Sequence, residues 1–406
     1  MRTRSSGDDL LIEIGILVAG TFDAVDEEAL DAALGKTDQS LSDFYGPSGL
    51  RFRFAKIRRR ELVARIRVEP SSLLRDAQEE RDARGWDFVF VVTAADLVGI
   101  YSASSCFAVL SRPLDAAVFS TLLIDPASRG ESVSDTRRVA RLTSRLTRLM
   151  LHAVGHLSGL PQSELPDRVM YRPTSASDLD PEATFDESER TRSGKTLLEI
   201  ADQRLEEQVA PPGNAVVFMI RAAWINRYEI VEAVWAARPW QFPRRLSGLT
   251  IASVSTLLIL LMTAEAWDLA LSQSVVSVAM LGILVAAATT IFVAVRQRLL
   301  IRRRKIRSEQ NVVTAISAIL IVAAGMTITW LYLVASGTLV ATLLFSSELI
   351  ASWAASGDLS VDKIGWGSRL LMSCFCSSLG ILIGALGASF ESQNYFQHVI
   401  FVDEEL

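Results

Sequence analysis

Cysteine and histidine are scarce in this 406-residue chain, with three of each. Cys106, Cys374 and Cys376 are too few for a disulfide framework and cannot build a cysteine-based zinc site. Cys374 and Cys376 lie inside an apolar run, where thiols act as small packing groups, and Cys106 in YSASSCFAVL is read as a buried core residue as well. Positive charge is not in excess either. The net charge is −5, so nothing in the composition draws the chain to nucleic acid. Charged residues are also missing from most of the C-terminal half; they crowd the first 245 positions and the stretch 296–307. That asymmetry points to a membrane part. The opening MRTRSSGDDLLIEIGILVAG has basic residues and a short apolar run, but Asp8, Asp9 and Glu13 interrupt it. It alternates like a strand and is read as the start of a domain rather than a signal sequence.

What is abundant is apolar. Half of the residues are hydrophobic and the mean hydropathy is +0.29. Four segments approach the about 20 residues that a bilayer core requires: Ser247–Ala264, Val275–Val295, Val312–Val334 and Leu370–Phe390. Thr338–Trp353 is shorter and carries Glu348; it reads as a continuation of the third helix, a re-entrant piece or an interfacial helix. Basic residues flank the spans at Arg244, Arg245, Arg296, Arg298, Arg302, Arg303, Arg304, Lys305 and Arg307. The other connections carry Glu265, Asp268, Asp358 and Asp362 against Lys363 and Arg369. The expectation is a multi-pass cell-membrane protein with both termini cytoplasmic. Trp267, Trp353 and Trp366 fall where an outer aromatic belt would sit. Gly380, Gly384 and Gly387 suggest a close helix-packing seam. Glu265, Glu348 and Glu391 lie at span ends, as solvated flanks do, and no ladder of intramembrane charge argues for a pump.

The first half alternates strand and helix patterns, as an α/β domain does. Strands are expected over 10–19, 50–57, 87–97 and 117–125, and helices over 26–35, 71–84 and 136–158. Residues 172–196 read as irregular and 197–208 as a short amphipathic helix. Pro211, Pro212 and Gly213 then break the chain. The aromatic-rich stretch 215–238, with Trp224, Tyr228 and Trp235, reads either as a helix lying on the inner membrane surface or as one packed on the soluble domain.

One stretch carries chemistry: RLMLHAVGHLSGLPQS, within which two of the three histidines, His152 and His156, lie four residues apart. That spacing sets both on one side of a helix, where they can grip one metal ion. Gly159 follows three residues later and can end the helix in a sharp turn. The turn can deliver a third ligand from 160–167, where Gln162, Glu164 and Asp167 are the candidates. The third histidine, His398, sits near Glu391, Asp403, Glu404 and Glu405 in a segment read as a solvated cytoplasmic tail.

The histidine string resembles the metzincin zinc proteases, whose pattern is H-E-x-x-H-x-x-G-x-x-H, and most of all their archaemetzincin branch. His152, His156 and Gly159 match in register, Met170 in RVMYRP matches the family's Met-turn, and DFVFVVTAADL resembles the strand before its Thr-x-x-Asp-Leu turn. The likeness covers about residues 8–175. It implies a metzincin-like mixed sheet with an active-site helix, joined here to an all-α transmembrane bundle. It also implies zinc on His152 and His156. The departures are as specific. The general-base glutamate position is Ala153, which cannot accept a proton, and the third-histidine position is Gln162. Ser163, Arg168, Ser188 and Thr191 stand where the branch has the cysteines of a second metal site.

The expected organisation is a degenerate metzincin-like domain over 8–195, juxtamembrane helices and linker over 196–246, about four transmembrane helices over 247–390, and a tail over 391–406. The favoured function is a membrane-anchored, metalloprotease-like module that binds a peptide or protein partner on the cytoplasmic side and does not hydrolyse it. The alternatives are a residual zinc-dependent peptidase using His152 and His156, and a membrane transport or channel component.

Overall fold

A computed structural model describes residues 10–63, 66–100, 106–201, 215–299, 309–354, 361, 364–388 and 392–406. The basic cluster 302–307, the Pro211–Gly213 break, Glu391, Asp358, Asp362 and Lys363 therefore lie outside the described residues, as do 8–9 of the expected domain and 202–208 of the expected helix. The chain divides into two compact units. One is Met1–Ala236 with Arg303–Thr314 and Phe401–Leu406; the other is Ala237–Arg302 with Ala315–Ile400.

The first unit is a mixed α/β fold. Its elements are β1 (Leu10–Ala19), α1 (Ala24–Tyr45), β2 (Leu50–Arg59), β3 (Arg67–Val68), α2 (Pro70–Arg84), β4 (Phe88–Thr93), β5 (Asp96–Leu97), β6 (Ala108–Ser111), β7 (Ala116–Ser120), α3 (Thr121–Ile124), α4 (Asp135–Leu157), α5 (Glu187–Ile200), α6 (Ala215–Ile225), α7 (Arg227–Ala236) and β8 (Glu404–Glu405). Six strands form one sheet in the order β2-β1-β4-β7-β6-β8. Pairing is parallel from β2 through β7 and antiparallel at β7–β6 and β6–β8. The short β3 and β5 form a separate parallel pair. β4 is buried along its whole length, as a strand covered on both faces must be. Residues of β1, β4 and β7 share one core with the apolar face of α4, from Leu142 through Leu146, Leu149 and Met150 to Val154. Leu406 belongs to the same core.

Several local expectations shift. The helix expected over 26–35 begins earlier and runs to Tyr45. Asp23 caps it in a capping box with Asp26. Gly35 does not stop it, because Ala29, Leu30, Ala33, Thr37, Leu41 and Tyr45 bury a continuous helical stripe on both sides of the glycine. The strand expected over 117–125 ends at Ser120, whose hydroxyl donates to the Ala95 carbonyl, and the chain then turns into α3. Part of the stretch read as irregular is α5, which starts at Asp186 with a capping box to Glu189. The stretch 215–238 is two helices, α6 and α7, with Asn226 between them. Arg145 and Arg148, on α4, are buried. Arg145 holds the Asp180 carboxylate with two nitrogens, at 2.6 and 2.9 Å, and donates to the Ile124 carbonyl.

The second unit is helical: α8 (Phe242–Arg245), α9 (Ser247–Leu261), α10 (Ala264–Ser272), α11 (Val275–Arg296), α12 (Glu309–Leu344), α13 (Ser347–Trp353), α14 (Trp366–Ala388) and α15 (Gln393–Phe401). Among the described residues three helices are long and apolar enough to cross a membrane: Val275–Arg296, Val312–Leu344 and Trp366–Ala388. The first expected span, Ser247–Ala264, is shorter than its apolar run, because α9 ends at Leu261; it passes the same test only when joined to the preceding helical stretch Arg227–Arg245. The third helix continues to Leu344, so the first part of Thr338–Trp353 extends that helix and the last part is α13. Gly380, Gly384 and Gly387 do form a packing seam. A methyl group at each would come within 3.0, 2.8 and 2.9 Å of the carbonyl oxygens of Ser253, Leu249 and Gly248 on α9. Trp267 is not a belt residue. It is fully buried, donates its indole N–H to the Leu261 carbonyl at 2.8 Å and packs edge-on against Phe345. Glu265 and Glu348 are exposed.

Candidate functional site

α4 carries both histidines into the first unit. His152 is buried and His156 half-buried one turn later, their rings nearly parallel at 7° with centroids 6.4 Å apart. The helix ends as the sequence requires. Gly159 takes a left-handed φ of +87°. Its N–H donates to the His156 carbonyl, and Leu160 N–H donates to the Gly155 carbonyl, which is the Schellman pattern. Beneath the pair, Met170 is fully buried with its sulfur packed directly on Gly155. Any side chain at Gly155 would displace it. The Arg148 guanidinium ties the surrounding loops together by donating to the carbonyls of Pro166 and Pro181.

The orientation of His152 follows from its neighbour. Nδ1 lies 2.8 Å from the Val169 carbonyl oxygen, which can only accept, so Nδ1 carries the proton and Nε2 points outward. Nε2 meets Glu404 Oε2 at 3.2 Å. His156 meets two carboxylates: Nε2 is 2.7 Å from Asp403 Oδ2, and Nδ1 is 3.0 Å from Glu404 Oε2. Gln162 donates from Nε2 to the other oxygen of Glu404 at 2.5 Å. The residues that face the histidines are therefore on the far segment 401–406, separated from His152 by 252 positions.

That segment is bound along its length. β8 pairs antiparallel to β6, with Glu405 opposite Val109 and Glu404 opposite Leu110. Asp403 N–H donates to the Leu110 carbonyl, Leu406 N–H to the Ala108 carbonyl, and Phe107 N–H to Leu406 O at 2.8 Å. Arg172 donates to the Glu405 carbonyl, and Ile100 N–H to the Glu405 side chain. Glu404 and Glu405 are 3% and 5% exposed and His398, on α15, has no exposed surface, so the reading of 391–406 as a solvated tail fails from Phe396 onward. Acidic residues are poor strand formers. Here their burial is offset by paired donors.

The electrostatics follow from the contacts. Burial alone would lower the His156 pKa, but Asp403 and Glu404 outweigh it and raise it to about 10. Burial alone would raise that of Glu404; His152 and His156 instead hold it well below the usual carboxylate range. Cys106 is pushed up to about 12, first by burial and then by the Glu405 charge, which leaves it an inert thiol and not a nucleophile.

The arrangement does not fit zinc. Zinc takes neutral imidazole nitrogens at about 2.0–2.1 Å. The point on which both imidazoles converge is filled by Glu404 Oε2, at 3.2 and 3.0 Å, and the remaining nitrogens are engaged by Val169 and Asp403. Among the described residues no group of three or more histidine, cysteine or acidic side chains is arranged to hold a metal ion. Gln162 does reach the site, but it reaches the carboxylate. Glu164 and Asp167 are exposed, and neither is among the hydrogen-bond or ion-pair partners of the two histidines. Ala153, between the histidines, is buried in the apolar core.

Solved structures match under half of the chain. The chain is similar to archaemetzincin. The archaemetzincin of Methanopyrus kandleri matches over 46% of this chain and 96% of its own, at 15% identity and a TM-score of 0.36. A zinc-dependent peptidase from Methanocorpusculum labreanum (strain Z) matches over 44% of this chain and 99% of its own, at 16% identity and a TM-score of 0.33. No protein-family model matches the chain, and no curated protein does.

The segment 401–406 is what sequence reasoning missed. Asp403, Glu404 and Glu405 were visible as an acidic run beside His398, but His398 lies in the second unit, and the acids serve the other two histidines.

Proposed function

We propose that the first unit is a peptide-binding module, anchored to a membrane by the second, and that it does not hydrolyse what it binds. The observation that carries this reading is the segment 401–406 itself, lying antiparallel on edge strand β6 with Glu404 seated on His152, His156 and Gln162. Strand addition supplies main-chain affinity and the side-chain seats supply selectivity. Ala153 supports the non-catalytic part. The position between the histidines has no carboxylate to take a proton from water, and general-base catalysis contributes a factor of about 10²–10⁴. In this conformation the cleft is occupied in cis, which keeps other segments out.

Membrane anchoring is supported by the three apolar helices and by α6 and α7. These expose Ile220, Trp224, Tyr228, Val231 and Trp235, each more than 60% accessible, beside Arg221 and Arg227, which is the composition of an interfacial surface. The basic flanks of the spans favour a cytoplasmic first unit, and so a cytoplasmic peptide or protein partner.

Hydrogen exchange tests the reading. Phe107 and Ala108 amides should be slow in the full chain, fast after deletion of 401–406, and slow again when a synthetic peptide of residues 401–406 is added. The peptide should be recovered uncut. Peptide cleavage that is lost in His152→Ala would overturn the non-catalytic reading.

A further inference from the structure

The cleft holds its occupant by more than strand pairing. Each acidic position of the bound segment is met by polar groups of the cleft. Asp403 is met by His156 Nε2 at 2.7 Å and by the Arg112 backbone N–H at 3.4 Å. Glu404 is met by three side chains, with His152 and His156 on one oxygen and Gln162 on the other. Glu405, on the opposite face of the strand, is met at its carboxylate by Ile100 N–H and at its carbonyl by Arg172. Leu406 enters the apolar core.

Resting on the peptide-binding reading, we infer that the cleft selects an extended segment with an adjacent Asp–Glu pair followed by an acidic and then an apolar residue. The unusual part is the pair. Adjacent strand residues normally point to opposite faces, yet Asp403 and Glu404 both reach one imidazole, from its two nitrogens. Asp403 can do so because it precedes β8 and is not yet in the pleat. A single imidazole bridging two neighbouring carboxylates measures their spacing as well as their charge. An isolated acid fills one nitrogen, and two acids at alternate strand positions would lie on one face with a residue between them. The partner is thus an acidic protein segment, of which residues 403–406 are the chain's own copy.

The experiment uses the chain lacking 401–406, with folding checked by circular dichroism, and fluorescent peptides of sequence FVDEEL. Replacing the Asp or the first Glu by its amide should weaken binding about tenfold or more, as loss of a charged hydrogen-bond acceptor does. Replacing the second Glu should weaken it less. Inserting one glycine between Asp and Glu should cost as much as removing one of them. In a double-mutant cycle, His156→Gln in the protein and Asp→Asn in the peptide should be strongly non-additive, which a purely structural role for His156 would not produce. Equal binding of the parent and the doubly amidated peptide would overturn the inference and leave strand addition standing. No binding of any peptide to a folded chain would overturn the peptide-binding reading itself. Should the deleted chain not fold, the full chain with Asp403→Asn and Glu404→Gln serves. Faster exchange at Phe107 than in the parent supports the inference, and unchanged exchange overturns it.

Discussion

The two units satisfy buried polarity by different means. In the first, buried charged groups are met by groups of opposite charge, most of them distant in sequence. Arg81, with no exposed surface, meets Asp82, Asp115 and the Leu114 carbonyl; Arg145 meets Asp180; the histidines meet Asp403 and Glu404. In the second, hydroxyls return to their own helix. Thr256, Thr289, Thr329 and Ser373 each bond a carbonyl four residues back, and helices approach through glycine. The contrast teaches where selectivity can reside. A fold held by matched charges can exchange one acidic partner for another, whereas a fold held by close backbone approach reads only shape.

Four perturbations break or sharpen this contrast. The largest effect is expected at Arg81. Arg81→Ala strands Asp115 and Asp82 beside a void and should cost about 3–5 kcal/mol in chemical denaturation of the first unit. A loss below about 1 kcal/mol would show that solvent, not pairing, satisfies those acids. Next is Glu404→Gln, which keeps shape and removes charge. It should release the 401–406 segment by about 1.5–3 kcal/mol, read as faster exchange at Phe107, with the melting of the second unit unmoved. Third is Gly384→Leu, which drives a side chain into the Leu249 carbonyl and Ser253. Overpacking of this kind costs about 1–3 kcal/mol and should lower the melting temperature of the second unit in detergent while Phe107 exchange stays the same.

The shallowest effect is that of pH. His156 has a raised folded pKa, so its contribution is complete below the unfolded value near 6.5 and is lost as pH rises through about 10. Glu404 has a depressed one, so its contribution is present above about 4.5 and is lost as pH falls through its folded value. Segment docking should be firmest between these limits, at pH 5–6.5. It should decline towards pH 10, and His156→Gln should flatten the alkaline side.

Legibility in the sequence divides along the same line. β1, β2, α2, β4 and α4 could be read because each has a local period and a local stop. The turn at Gly159 is a local feature of the same kind, three residues after His156 in one continuous stretch of chain. β6 has only four residues, too few to show a period, and β8 consists of Glu404 and Glu405, which resemble solvent-facing tail. Nothing near residue 404 in the chain explains a buried glutamate; the explanation is on α4. The long apolar helices were legible as composition, yet Trp267 was misplaced, because amphipathic aromatic rings suit an interface and a packed corner equally well.

The position of β8 in the sheet also sets a schedule. The ribosome makes α4 and β6 first, and 252 further residues separate His152 from Glu404. At about 5–20 residues per second that interval is about 10–50 s, during which the helices of the second unit are made and β6 is an open edge next to an unclaimed histidine pair. The sheet of the first unit therefore closes only after the second unit has been made, and any acidic segment nearby has that long to reach the open edge first.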